Sequence, residues 1–137
     1  MDIWLDHIGI AVNNLDEGGK FWELLGLTRR GDETNSEQKV HIRFFETSSS
    51  LKPTKIELLA PSTDDSPIEK FLAKKGPGIQ QIAFRVDDLD SLLTMLSNEG
   101  VRLINETPTA GAGGSRIAFV HPSSTGGVLV ELLERGN

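Results

Sequence analysis

The chain repeats itself at an interval of 74 residues. Sliding it by that amount, without a gap, brings Ile8 onto Ile82, Val12 onto Val86, Leu15 onto Leu89, Asp16 onto Asp90, Gly26 onto Gly100 and Phe45 onto Phe119. It also brings Glu57, Leu58 and Leu59 onto Glu131, Leu132 and Leu133. A period this long is not that of a solenoid; it is the size of one small α+β unit written twice. Two such units pair best about a pseudo-twofold axis, which predicts that corresponding residues face each other. Residues 1–62 read as module one, 66–76 as a connector helix and 77–137 as module two, all within a single domain.

Composition narrows the classes of function. A chain of 137 residues that is 37% hydrophobic has one domain's worth of core, and folding buries roughly two thirds of its unfolded surface. A net charge of −6 without a basic stripe argues against nucleic acid and anionic membrane as partners. The absence of cysteine removes disulfides and thiolate chemistry, so a metal here must be held by imidazole, carboxylate and amide groups. The opening residues Met1–Asp6 show no basic leader or long apolar run, and no window is long enough to span a bilayer, so a cytoplasmic protein is expected.

Local signals place the elements. Residues 3–12 alternate as a strand, Asn14 with Glu17 reads as a capping box, and Leu15, Phe21, Leu24 and Leu25 mark a helical stripe that Gly26 ends. Strands are predicted at 27–33, 38–47 and 54–60, separated by the polar segments Gly31–Glu37 and Ser48–Thr54. Ser66-Pro67-Ile68-Glu69 starts the connector helix and Gly76 stops it. The second copy reads as a strand at 79–86, a helix at 89–98 and strands at 101–105, 115–121 and 127–133. Each module is therefore β-α-β-β-β. The glycine run 111–114 has no following Lys-Ser/Thr and precedes a strand, which favours a flexible hairpin over a phosphate loop.

Four polar residues sit at repeated places. His7 and Gln81 occupy equivalent positions of the opening strands, and Glu57 and Glu131, each between aliphatic neighbours, occupy equivalent positions of the closing ones. Taken singly each has an ordinary reading: His7 and Gln81 as satisfied core groups, Glu57 as a salt-bridge partner of Lys55, Glu131 as a partner of Arg116 or Arg135. What those readings do not explain is the recurrence in both modules. Two symmetric carboxylates among aliphatic residues repel unless something positive lies between them, and a divalent cation, Zn, Co, Ni, Mn or Mg, held by His7, Glu57, Gln81 and Glu131 resolves this. His41 and His121 lack such symmetry and read as surface or loop residues.

The duplicated module, with polar groups on first and last strands, resembles the vicinal oxygen chelate superfamily, which includes glyoxalase I, extradiol dioxygenases and bleomycin-resistance proteins. The runs Asp6–Val12, Ser66–Ile68, Ile82–Asp88, Gly111–Phe119 and His121–Leu132 are most similar to its methylmalonyl-CoA epimerase branch, and the last two are the more specific. The resemblance implies an α+β fold of two tandem modules forming a curved, eight-stranded, cup-like sheet with the helices outside. It implies a metal at His7, Glu57, Gln81 and Glu131, and a homodimer. It also implies inversion of the α carbon of methylmalonyl-CoA by proton removal and return through a metal-stabilised enolate. Glu131 and Glu57 are then the two bases, one of them leaving the metal when substrate chelates. Lys70, Lys74, Lys75 and Arg116 are the cations available to the coenzyme A phosphates. The chain departs from the epimerase pattern at Gln80-Gln81, where that branch usually has two histidines, and at Glu57, where it often has Gln. The resulting ligand set approaches that of some glyoxalase I enzymes, so lactoylglutathione formation is the alternative reaction. A non-catalytic small-molecule-binding protein of the same fold is the alternative class.

Overall fold

The turn after the first strand, β1 (Ile3–Ala11), ends at Asn14, whose side chain accepts hydrogen bonds from the backbone N–H groups of Asp16 at 2.8 Å and Glu17 at 3.0 Å. This cap is worth about 1 kcal/mol and starts α1 (Leu15–Leu25). Gly26, at φ 105°, closes the helix in a conformation that an L side chain disfavours. The computed structural model describes residues 1–48 and 53–136.

β2 (Thr28–Asn35), β3 (Val40–Glu46) and β4 (Lys55–Pro61) follow as an antiparallel run, and β1 lies parallel to β4, giving the order β2-β3-β4-β1. The polar segment expected at Ser48–Thr54 falls partly on residues 49–52, outside the described residues; its ends are tied by Thr47, whose N–H and Oγ1 both donate to the Thr54 carbonyl. The connector is α2 (Pro67–Lys75), capped by the Ser66 hydroxyl, which accepts from the Ile68 N–H at 3.2 Å. β5 (Gly78–Val86), α3 (Leu89–Asn98), β6 (Thr109–Ala110), β7 (Arg116–Val120) and β8 (Val130–Glu134) then repeat the first module. Their strand order, β6-β7-β8-β5 with β5 parallel to β8, is that of the first copy.

Two compact units result, Asp6–Gln80 and Met1–Leu5 with Gln81–Asn137. The division falls inside β1 and β5, not at the connector. Each unit packs one sheet face under its own helix. Val12, Phe45, Leu58 and Ala60 form the core beneath α1, and Val86, Leu89, Leu92, Leu93, Ala118, Val120 and Leu132 the core beneath α3. Phe45, Leu58 and Leu89 are fully buried, each worth about 1.5–3 kcal/mol of transfer free energy.

Three expectations need correction. Of the helical stripe only Leu15 joins the packed face of α1: Phe21, Leu24 and Leu25 are 61, 87 and 60% exposed. The helix instead lies on Leu15, Gly18, Gly19 and Trp22, because a Cβ on Gly18 would stand 2.6 Å from Val12 Cγ1 and Gly19 is buried against Leu58, Phe45 and Arg43. Two glycines let the backbone approach closely on this side, where Leu15 and Trp22 pack beside them.

No strand forms at 101–105. Leu103 makes a single bridge to Val120, and the Asn105 side chain takes the Phe119 N–H at 2.8 Å in place of a ladder bond. Pro108 then has no N–H to offer, so the short strand starts at Thr109.

The gapless alignment also slips by one residue in the third strand of each module. Phe44 lies opposite Glu57 in the first ladder and Phe119 opposite Glu131 in the second, so Phe119 corresponds to Phe44 and Val120 to Phe45.

Candidate active site

β1 and β4 bring three ionisable side chains together in the first unit. Because β1 and β4 run parallel in the register His7 to Lys55 and Gly9 to Glu57, the His7 and Glu57 side chains emerge on one face, and His7 Nδ1 lies 3.1 Å from Glu57 Oε2. Asp6 joins them, with Oδ2 2.8 Å from the same Nδ1. All three are at most 6% exposed. Asp6 is the member of this cluster that alternation misses: strand periodicity assigns it to the face opposite His7, yet its short side chain turns back to the imidazole. The one signal for it in the sequence is its adjacency to His7.

In the second unit Gln81 Nε2 donates to Glu131 Oε1 at 3.1 Å, and both residues are buried. The four predicted positions thus form two pairs, first strand to last strand in each module. Both carboxylates also share an aromatic neighbour, since Phe44 stands across from Glu57 and Phe119 across from Glu131. Ile117 and Leu133 pack with Ala83 and Phe119 beside the second pair.

The salt-bridge readings fare differently. Lys55 turns to Asp6, with Nζ 3.6 Å from Oδ1. Arg116 is held by Asp90 at 3.1 Å and Glu134 at 2.9 Å, and these carboxylates raise its guanidinium further above its ordinary range. His41 is exposed, with Nδ1 2.8 Å from Thr34 Oγ1, and half-buried His121 caps a short 3₁₀ turn by accepting the Ser123 N–H at 3.0 Å. Lys75 rests over the Phe71 ring at 5.7 Å, while Lys74 is exposed on α2.

The donor set fits a metal. Ligand atoms of Asp6, His7 and Glu57 all lie within 4.8 Å of one another and are buried. Two buried carboxylates converge on one imidazole nitrogen here, with Lys55 beside Asp6, and carboxylates taken out of water call for positive charge close by. Nitrogen and oxygen donors of this kind suit a divalent ion of the first transition row or magnesium.

A family model described as the glyoxalase/bleomycin resistance protein/dioxygenase superfamily matches residues 6–119. The mitochondrial methylmalonyl-CoA epimerase of Dictyostelium discoideum is 41% identical, over 96% of this chain and 78% of the relative. The chain belongs to the methylmalonyl-CoA epimerase family. Solved epimerases carry the same fold. That of Streptomyces coelicolor, in complex with 2-nitronate-propionyl-CoA, superposes with a TM-score of 0.92 at 35% identity, covering 97% of this chain and 94% of that one. A methylmalonyl-CoA epimerase in complex with methylmalonyl-CoA and NH4+ does so with 0.91 at 36% identity, covering 96 and 94%. The α+β fold of tandem modules is therefore the vicinal oxygen chelate fold of the epimerases, and the protein is an epimerase-like isomerase. Among the described residues no helix is long and apolar enough to cross a membrane.

Proposed function

We infer that this enzyme inverts the α carbon of methylmalonyl-CoA, with a divalent ion as cofactor. The observation that carries the reading is the pair of buried carboxylates, Glu57 and Glu131, at matching positions of the two closing strands, each 3.1 Å from a polar side chain of its opening strand. The reaction needs two proton-handling groups, and the duplication provides two.

His7, Glu57, Gln81 and Glu131 are the residues that would hold the ion, as one imidazole nitrogen and three oxygen donors. When bound, a divalent ion supplies positive charge against the negative charge that builds on the substrate oxygens as the α proton leaves. One carboxylate, Glu57 or Glu131, takes that proton, and the other returns one; inversion requires that they serve opposite faces of the planar carbon. Phe44 and Phe119 stand opposite these carboxylates in the two ladders. Gln81 holds Glu131 in place through its amide N–H.

A homodimer in the cytoplasm completes the proposal. The exposed Phe21, Leu24 and Leu25 on α1 form the kind of apolar surface that a subunit contact covers.

Incubation with methylmalonyl-CoA in deuterated water, with each of Co, Mn, Ni, Zn and Mg supplied in turn, tests the reading. Deuterium entering the α carbon together with loss of configuration is the expected result. Absence of exchange with every metal, or turnover of methylglyoxal and glutathione instead, overturns it.

A further inference from the structure

Lys55 stands on the same face of β4 as Glu57, two residues before it, and lies across the parallel ladder from His7. On its other side the antiparallel ladder puts Glu46 directly opposite. That carboxylate is taken, since its Oε1 accepts from Arg30 Nε at 2.5 Å. Lys55 turns the other way, and the Asp6 carboxylate, 3.6 Å from Nζ, is its one ion-pair partner among the described residues. At that distance the contact is charge pairing and not a hydrogen bond. An ammonium has three N–H donors, and among the described residues no acceptor takes one of them. The side chain is 23% exposed, within reach of a solute, whereas that of Asp6 beside it is 5% exposed.

The second module has nothing of the kind. The register that sets Ile56 beside Ile8 sets Val130 beside Ile82, which makes Leu129 the counterpart of Lys55. The carboxylates of the closing strands repeat, but the cation does not.

We propose that Lys55 is a substrate-binding residue whose ammonium takes the free carboxylate of the methylmalonyl group. This deepens the reading above and rests on it for the identity of the substrate. A methylmalonyl thioester carries negative charge at two places, the carboxylate on the α carbon itself and the phosphates at the far end of the pantetheine arm. Glu57, as a proton-handling group, works at the α carbon, so the charge that comes within reach of Lys55 is the carboxylate. The lysine also resolves an ambiguity that the duplication creates. Two like carboxylates do not tell the carboxylate side of the α carbon from its thioester side; a cation in one module only does. The bound anion gains charge-assisted hydrogen bonds from uncommitted donors, and Asp6 keeps Lys55 turned away from Glu46 before substrate arrives.

Calorimetric titration with methylmalonyl-CoA and with propionyl-CoA, which has the same arm and phosphates but no carboxylate, tests this on the unaltered protein and on Lys55→Met. The unaltered protein is expected to prefer methylmalonyl-CoA. Lys55→Met weakens that ligand about 10- to 100-fold and leaves propionyl-CoA unchanged, while Lys55→Arg, which keeps the charge, retains a preference. Equal weakening of both ligands puts the lysine on the phosphates or the arm, and unchanged binding of methylmalonyl-CoA takes it off the ligand; either overturns the proposal. An unaltered protein without the preference does so too. If Lys55→Met does not fold because Asp6 has lost its cation, Lys55→Met/Asp6→Asn removes both charges and is read the same way against Asp6→Asn alone. Deuterium exchange on the same proteins separates this proposal from the reaction. An unaltered protein that prefers methylmalonyl-CoA but exchanges no α proton, with the preference lost in Lys55→Met, overturns the reaction and supports the lysine anchor. Exchange by the unaltered protein, with the preference kept in full by Lys55→Met, overturns the anchor alone.

Discussion

Gln81 donates from Nε2 to Oε1 of Glu131 across 3.1 Å, two buried side chains that are 50 residues apart in the chain. The bond joins the first and last strands of the second module at its polar centre, as His7 and Glu57 do in the first. Replacing Gln81 by Leu removes a charge-assisted bond from a buried carboxylate, and the expected loss is about 1–3 kcal/mol in a urea denaturation series. On the proposed mechanism turnover falls as well. Unchanged stability means that Glu131 is held by other groups.

Glu57→Gln and Glu131→Gln each remove one proton-handling group while keeping shape. Each is expected to lower turnover about 100- to 10,000-fold, read as deuterium exchange into methylmalonyl-CoA. One-sided exchange without inversion in one of the two variants assigns that carboxylate to proton return. Near-normal inversion by either variant removes that residue from the chemistry.

Arg43, buried on the α1 side of β3, holds Asp32 through Nε at 2.8 Å and Nη2 at 2.9 Å, and Asp16 of α1 through Nη1 at 3.0 Å. Its bonds to Asp32 raise the guanidinium further above its ordinary range against the opposing effect of burial, and hold the Asp32 carboxyl below its usual 3.8. The register gives Ala118 as its counterpart in the second module, where no such clamp exists. Asp32→Ala leaves a buried cation short of a partner and is expected to cost about 2 kcal/mol, read by chemical denaturation. Since Asp32 has a folded value below its unfolded one, its contribution is present above the unfolded value near 3.8 and is lost as pH falls through the folded value. Asp32→Ala therefore flattens the acid limb of the stability profile below that point.

Gly18 lies inside α1, where alanine ordinarily stabilises by about 1 kcal/mol. Here the added Cβ meets Val12 Cγ1 at 2.6 Å and Val12 Cβ at 2.7 Å, which side-chain rotation alone does not relieve. Gly18→Ala is expected to destabilise by about 1–3 kcal/mol, and a paired Val12→Ala to recover part of the loss. A rise in melting temperature for Gly18→Ala alone contradicts the close helix–sheet approach.

Much of this protein is legible before any coordinates. The duplication, the β-α-β-β-β order, the caps at Asn14 and Ser66, and the recurrence of His7, Glu57, Gln81 and Glu131 all follow from spacing, because backbone period and capping chemistry are local. What required the folded chain is whatever depends on how closely surfaces approach. Two glycines brought α1 close to the sheet on the side away from Phe21, Leu24 and Leu25, a one-residue slip put Phe44 and not Phe45 beside the carboxylate, and Asn105 replaced a ladder bond that the pattern promised. Asp6 belongs to the same group: alternation gives the direction in which a side chain leaves the strand, but only tertiary packing decides where a short carboxylate ends and which imidazole nitrogen it holds.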